Sequence, residues 1–568
     1  MVRMVYNDRN LVRPRKSGGW TSEPIKPKKE MVFRIEERHS FPTRVLENTD
    51  ATGAANSSET GSSTSVMKST MKELEQYCEK TTLHGLRYVG DSTLSIGERI
   101  FWFISFSLAI GFAAYYITNI YEKWRSSPVI ISFSPFDADL TSIPFPAITI
   151  CNMNQAKNSE AERILREGSN IEKKLLDDSC NGNATFNDNE HISWEDLRNF
   201  LVRVGNSCSD MLKFCQWGSQ KLDCEMAFNN DLTDEGLCCS FNRLPPEKIF
   251  RNWKDIGILN QTYPSNVYDW NPESGFQHAT EDENIVPKRP LGAGAHLGLS
   301  VILDAQIDNY YCSSTSSTGF KVILSNPIET PKMADFGFLV SPGFETRISI
   351  EPSVREATDS LRGVAIEKRQ CYFSNERPLQ YYRSYTQRNC NLECQSNHTL
   401  KHCSCVPYYL PKNKFIKYCG KTEKECVDQA KEDMEVVYGN GSSCHCLPGC
   451  FFLRFSNSKS FAKLSDMGLR AEVGSYSKEY FMDNVAVVQF FFFKSQFTKE
   501  VKSELFGFTE ILSNVGGLLS LCLGFSFLSL IELLYFVTLR LACELAKKRR
   551  TNQKRLHHKG SPIYPFMK

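Results

Sequence analysis

From Ile511 to Ile531 the chain reads ILSNVGGLLSLCLGFSFLSLI, and past Glu532 the run continues as LLYFVTL. A helix rises about 1.5 Å per residue, so a run of this length can cross a hydrocarbon core of about 30 Å. A second stretch, IFWFISFSLAIGFAAYYITNIY from Ile100 to Tyr121, holds no charged residue. The competing reading is two buried helices in a large soluble core. The cysteines argue against it. Of 21 in the chain, Cys78 precedes the first run, and Cys522 and Cys543 lie in or after the second. The others, Cys151 to Cys450, all fall between the runs. A dense, even set confined to one region reads as disulfides in an oxidising compartment. Four glycosylation sequons share that region, at Asn183, Asn260, Asn397 and Asn440, whereas Asn56-Ser-Ser lies outside it.

Orientation follows from charge. Directly after the second run comes KKRRTNQKR, from Lys547 to Arg555, and Lys/Arg clusters stay on the cytoplasmic side. No apolar run opens the chain, so no cleavable signal is expected, and two spans put both termini in the cytoplasm. The reading divides the chain into a flexible cytoplasmic tail (1–70, Ser/Thr/Gly-rich over 51–70), a segment before the membrane (71–99) and a first span (100–121). A cysteine-rich ectodomain (122–510), a second span (511–539) and a basic cytoplasmic tail (540–568) follow. The expected fold class is an α+β membrane protein with a β-sheet ectodomain core and peripheral helices. The 568 residues carry a formal net charge of +2, which offers no polyelectrolyte signature and implies no nucleic-acid partner.

Within the ectodomain, Phe145–Cys151, Gly298–Leu303, Phe320–Leu324 and Val485–Phe493 read as strands. Ser193-Trp-Glu-Asp196 reads as a capping box for a helix carrying Leu197, Phe200, Leu201 and Val204 on one face and stopped by Gly205. From Cys390 to Cys450 the cysteines are separated by 3, 8, 1, 13, 6, 17, 1 and 3 residues. This near-mirror spacing suits a helical hairpin stapled by nested rungs. It suits structural zinc poorly, since zinc favours Cys-x₂₋₄-Cys, and no metal or cofactor is expected.

The ladder, the preceding Cys371 and the pair of spans resemble the degenerin/epithelial sodium channel/acid-sensing channel family. So do His84-Gly85, FPAITICN at 145–152, SPGFET at 341–346 and GGLLSLCLGFSFLSLIEL at 516–533. The flavour is that of the arthropod pickpocket branch. The resemblance implies a trimeric, sodium-permeable, amiloride-sensitive channel of the plasma membrane, built from like or related subunits in contact with lipid. Its extracellular stimulus or ligand is not specified. It also implies the pairs Cys151–Cys238, Cys215–Cys224, Cys371–Cys450, Cys390–Cys446, Cys394–Cys444, Cys403–Cys426 and Cys405–Cys419. Cys180, Cys208, Cys239 and Cys312 remain over, enough for two further bridges.

The second span carries the pore chemistry. Gly516, Ser520 and Gly524 fall at i, i+4 and i+8, a narrow stripe that serves equally as a packing seam or a pore lining. Gly517 adds to the small-residue content. In an unbroken helix Gly524 and Ser526 sit about 200° apart and cannot face one axis, so a constriction at Gly524-Phe525-Ser526 requires the backbone to leave helical geometry. Carbonyl and hydroxyl oxygens suit a small hard cation such as Na⁺. The resemblance places the selectivity filter at these three residues, with Phe525 where sodium-selective relatives often carry Ala or Ser. Glu532, an ionisable group inside a span, is expected to face water or a partner; snorkelling to the interface is the alternative. By the resemblance Ser513 is a gate position where small size permits closure, and Asn514 stands where some relatives carry Asp. His84-Gly85 alone reads as an ordinary turn; by the resemblance its placement before the first span matches a re-entrant segment that affects gating. A purinergic-type trimer shares the two-span plan but predicts no cysteine ladder. An adhesion receptor leaves Gly524, Ser526 and Glu532 without a role, whereas a non-conducting accessory subunit of the same fold would have the same sequence features. No nucleophile elbow or HExxH supports an enzyme.

Overall fold

The structure, a computed structural model, describes residues 74–181, 193–256, 285–420, 423–435, 444–465 and 477–540, with several more between 259–276 and 542–550. The expected N-terminal tail and sequons Asn56, Asn183, Asn260 and Asn440 lie outside the described residues.

Helix α1 (Ile96–Ser126) begins at a complete capping box: the Ser95 hydroxyl accepts from the Glu98 amide, and the Glu98 carboxylate accepts from the Ser95 amide at 2.9 Å. The hydroxyls of Ser105, Ser107 and Thr118 donate to the carbonyls of Phe101, Phe103 and Ala114 one turn back, so these polar groups are satisfied within the helix. Large apolar side chains such as Phe101, Ile104, Leu108 and Phe112 are exposed along its length. This is the described helix long and apolar enough by itself to cross a membrane. The second apolar run is divided. Helix α4 (Phe508–Leu523) and the helical segment Phe527–Arg540, whose first part is α5 (Phe527–Leu534), pass the same test only as a pair, bent by 75°.

Both helices hang from one sheet. Its order is Val129–Asp139, Gln496–Glu504, Phe344–Ala357, Val485–Phe492, Leu299–Asp304, Leu212–Trp217 and Gln220–Leu222, with Phe452–Lys463 also paired to Phe344–Ala357. The chain leaving α1 enters Val129–Asp139, whose antiparallel partner Gln496–Glu504 leads into α4. The register Val129↔Glu504 therefore sets the two apolar helices side by side, and they pack on each other. A five-stranded sheet in the order Phe338–Val340, Phe320–Ser325, Ala147–Asn152, Gly236–Phe241, Phe228–Thr233 completes the main scaffold. Phe145 joins the two sheets, with its ring edge-on to Trp217 at 4.7 Å, to Phe492 at 5.6 Å and to Phe241 at 6.4 Å. The expected strand at 485–493 stops at Phe492, because Phe493 turns out to solvent.

Helix Trp194–Val204 forms with Phe200 and Val204 buried, but only half of the expected box closes. The Ser193 hydroxyl accepts from the Asp196 amide and donates to the same residue's carboxylate at 2.6 Å. Gly205 ends the helix through close approach rather than a left-handed turn. A Cβ there would lie 2.8 Å from the Leu201 carbonyl oxygen and 2.7 Å from Leu237.

Nine disulfides tie the ectodomain. Seven are the pairs the resemblance implies, and the remaining four cysteines pair as Cys180–Cys312 and Cys208–Cys239. The ladder does staple a helical hairpin, α2 (Gln387–Cys403) and α3 (Lys424–Glu435), but not rung by rung between its helices. Only Cys403–Cys426 joins helix to helix. Cys394–Cys444 and Cys390–Cys446 fasten α2 to the chain returning toward the sheet, because α3 ends before Cys444 is reached.

Candidate functional site

Gly524 closes α4 in the left-handed conformation, φ 62° and ψ 23°. A side chain would be strained there, and a Cβ would also sit 2.6 Å from Nδ1 of His84. The Gly524 amide donates to the Ser520 carbonyl at 2.9 Å, and the Phe525 amide to Leu519 at 3.3 Å. Two residues later Ser526 starts α5 as its N-cap. Its hydroxyl accepts from the Ser529 amide at 3.3 Å, while the Ser529 hydroxyl accepts from the Ser526 amide at 3.2 Å. Gly524-Phe525-Ser526 is thus a helix stop set directly against a helix start, which is the departure from helical geometry that the spacing of Gly524 and Ser526 requires. A helix end leaves its last carbonyls without partners inside the helix; here those of Leu519 and Ser520 accept from Phe525 and Gly524 across the turn.

The segment before α1 docks on that break. The His84 amide donates to the Leu523 carbonyl at 2.9 Å. Gly85, at φ 85°, turns the chain against Trp102 and Phe106 of α1, and Tyr88 stacks on Trp102 with ring centroids 4.6 Å apart. Upstream, the Thr82 hydroxyl shares a 2.8 Å hydrogen bond with that of Ser529 and donates to the Glu532 carboxylate at 3.1 Å. The Thr82 amide reaches the same oxygen at 3.3 Å. Tyr77 meets Phe536 edge-on at 5.1 Å, and Arg540 donates to the Gln76 side chain. The structure therefore brings His84, Gly85, Gly524, Ser526 and Glu532 together.

Glu532 is half-buried and engaged by Thr82, so within one chain its charge also anchors the docked segment. The Ser526 hydroxyl, read from the sequence as a ligand of the permeation path, also serves as the helix cap. Ser513, Asn514, Gly516, Gly517 and Ser520 lie along α4, all exposed or half-exposed in the single chain, and a Cβ on Gly516 or Gly517 would meet nothing within 4 Å. Sequence reasoning passes over Thr82 and Ser529. The signals are there: Ser526-Phe-Leu-Ser529 has the spacing of a reciprocal cap, and Thr82 lies two residues before His84-Gly85. Among the described residues no cluster of three or more His, Cys, Asp or Glu is placed to hold a metal ion. Asn397 is exposed on α2, whereas Thr399 of its sequon is buried.

Against known proteins, the sequence profile of the family described as amiloride-sensitive sodium channel matches residues 77–536. Pickpocket protein 28 of Drosophila melanogaster is 39% identical over 492 residues, covering 84% of this chain and 80% of the relative. Sodium channel protein Nach of the same organism is 23% identical, covering 86% and 91%. Acid-sensing ion channel 1A of Danio rerio is 23% identical, covering 84% and 90%. The matched span takes in the docked segment, the disulfide-tied ectodomain and the broken helix, and the chain belongs to the amiloride-sensitive sodium channel family, in its pickpocket branch.

Proposed function

We propose that this chain is one subunit of a trimeric, sodium-permeable, amiloride-sensitive channel of the plasma membrane. It crosses the bilayer twice with both termini in the cytoplasm, and an extracellular chemical or mechanical stimulus opens it. The observation that carries the proposal is the break at Gly524-Phe525-Ser526 in the middle of an apolar run. Backbone outside helical geometry is tolerated at membrane depth only where it lines water or is covered by protein. Three copies arranged about an axis would bring three such breaks together, giving a belt of carbonyl and hydroxyl oxygens suited to partly dehydrated Na⁺. The stripe Gly516, Ser520 and Gly524 permits close convergence of the α4 helices, and the Glu532 carboxylates below would favour cations. The paired register Val129↔Glu504 supplies the lever: a displacement of the ectodomain sheet reaches α1 and α4 together.

The gate test uses Ser513, placed near the outer end of α4. Ser513→Phe should hold the pore open, because three bulky rings cannot fit among converging helices. The expected result is a constitutive, amiloride-blocked sodium current in cells expressing the chain. Wild-type behaviour of Ser513→Phe at normal surface level would refute the placement of Ser513 at the gate.

A further inference from the structure

Where α1 meets the ectodomain there is a cavity of about 660 Å³ lined by none of the residues assigned to the proposed pore. Its size falls within the range of small-molecule sites. One wall is the last two turns of α1, from Ile117 to Trp124, about 10 Å along the helix axis. The facing wall is Ile511 and Val515 of α4, and the roof is the segment 363–368, which includes Val364 and enters the short helix Ile366–Arg369. The aliphatic lining is Ile117, Ile120, Val364, Ile511 and Val515, joined by the aromatic Phe506 and Phe508. The upper rim changes character. Tyr121 and Trp124, whose rings lie 5.9 Å apart, are the amphipathic aromatics that settle at a membrane–water interface. Lys368 and Glu504 line the same rim, and the Lys123 ammonium stands 5.6 Å from the ring centroid of Phe506.

We infer that this cavity binds one zwitterionic phospholipid of the outer leaflet. An acyl chain lies between Ile117, Ile120 and Ile511, the phosphate faces Lys368 and Lys123, and the headgroup ammonium faces Glu504. Charges of both signs at the mouth of an aliphatic slot match a phosphate–ammonium pair better than a fatty acid, which would leave Glu504 facing a carboxylate. A lipid held here touches α1, α4 and the segment 363–368 at once, so its occupancy bears on the junction through which ectodomain movement reaches the membrane. The inference rests on the proposed placement of α1 as a span and on the outward-facing ectodomain, not on conduction.

The full-length chain would be reconstituted in phosphatidylcholine vesicles containing a trace of phosphatidylcholine with a photoreactive diazirine on its acyl chain. Peptide mass spectrometry then maps the label. Labelling should concentrate on 117–124 and 511–515, the two walls that hold the acyl chain. It should fall about fivefold in Val364→Trp, which fills the slot, and comparably in Lys368→Gln, the loss of roughly one charge contact at a lipid surface. Ile120→Trp fills the slot from the opposite wall and serves if Val364→Trp is not monodisperse. Replacing the probe with diazirine-bearing phosphatidylglycerol, which lacks the ammonium, should lower labelling at these peptides. Uniform labelling along α1, unchanged by the variants, would identify bulk boundary lipid and overturn the inference. So would loss of the oligomer in both Trp variants without loss of label, which would assign the slot to a neighbouring copy. A chain that fails to enter the bilayer would overturn the span itself, a failure separate from that of the lipid site.

Discussion

The two ends of this molecule are held together by different physics. The ectodomain is tied by nine disulfides and a ring-packed core between two sheets, and includes buried ion pairs such as Arg243–Asp231 and Lys321–Glu235. The membrane end has no disulfide among the described residues; Cys78, Cys522 and Cys543 are free thiols. Its docked segment is held by a few hydrogen bonds, two ring contacts and a pair of left-handed glycines. Covalent staples fix shape, while single hydrogen bonds contribute only about 1 kcal/mol each and can be exchanged. The difference is between a covalently fixed body and a lightly latched helix break; in the proposed channel the first would sense and the second respond.

Substitutions test that contrast from its strongest side first. Removing both Cys390–Cys446 and Cys394–Cys444, by Ala at all four positions, should cost roughly 4 kcal/mol and retain the protein in the secretory pathway. Surface biotinylation checks this. Either rung alone closes nearly the same loop as its neighbour, so losing one should cost less, about 2 kcal/mol. Normal surface delivery without both rungs would mean that the sheets, not the staples, hold the ectodomain. At the membrane end, Gly524→Ala forces a side chain into the left-handed region, at about 1–2 kcal/mol, and pushes on the His84 ring. Surface level should stay normal while current falls sharply. A reversed outcome, lost delivery with normal current per channel, would erase the distinction between the two ends.

The smallest expected effect is at the latch. Thr82→Val removes the hydroxyl bonds to Ser529 and Glu532 and should shift the open–closed balance by about 1 kcal/mol, roughly fivefold in the equilibrium. In a double-mutant cycle with Glu532→Gln the two effects should be less than additive, since they share one contact. Strict additivity would show that Glu532 acts on the ion alone.

The rigid end is more legible in the sequence than the latched one. Strand positions follow from β-branched runs, and the placement of the cysteines alone separates the two compartments. The partners of Cys180, Cys208, Cys239 and Cys312 are not legible, because spacing cannot choose among connectivities. Nor is the route of the ladder, which depends on where α3 stops. At the membrane end, the clash of helical phase between Gly524 and Ser526 is enough to expect a break. The docking of Thr82 onto Ser529 and Glu532 is not foreseeable, since the partners are 447 and 450 positions away and nothing in the local pattern joins them.

The central claim is that the break is where ions are chosen. Its direct test is the reversal potential in sodium and potassium solutions, measured on a constitutively open Ser513→Phe background with Ser526 replaced by Val. The account predicts a changed Na⁺/K⁺ permeability ratio or abolished current at unchanged surface level. The same reversal potential and conductance as the Ser513→Phe parent would contradict it.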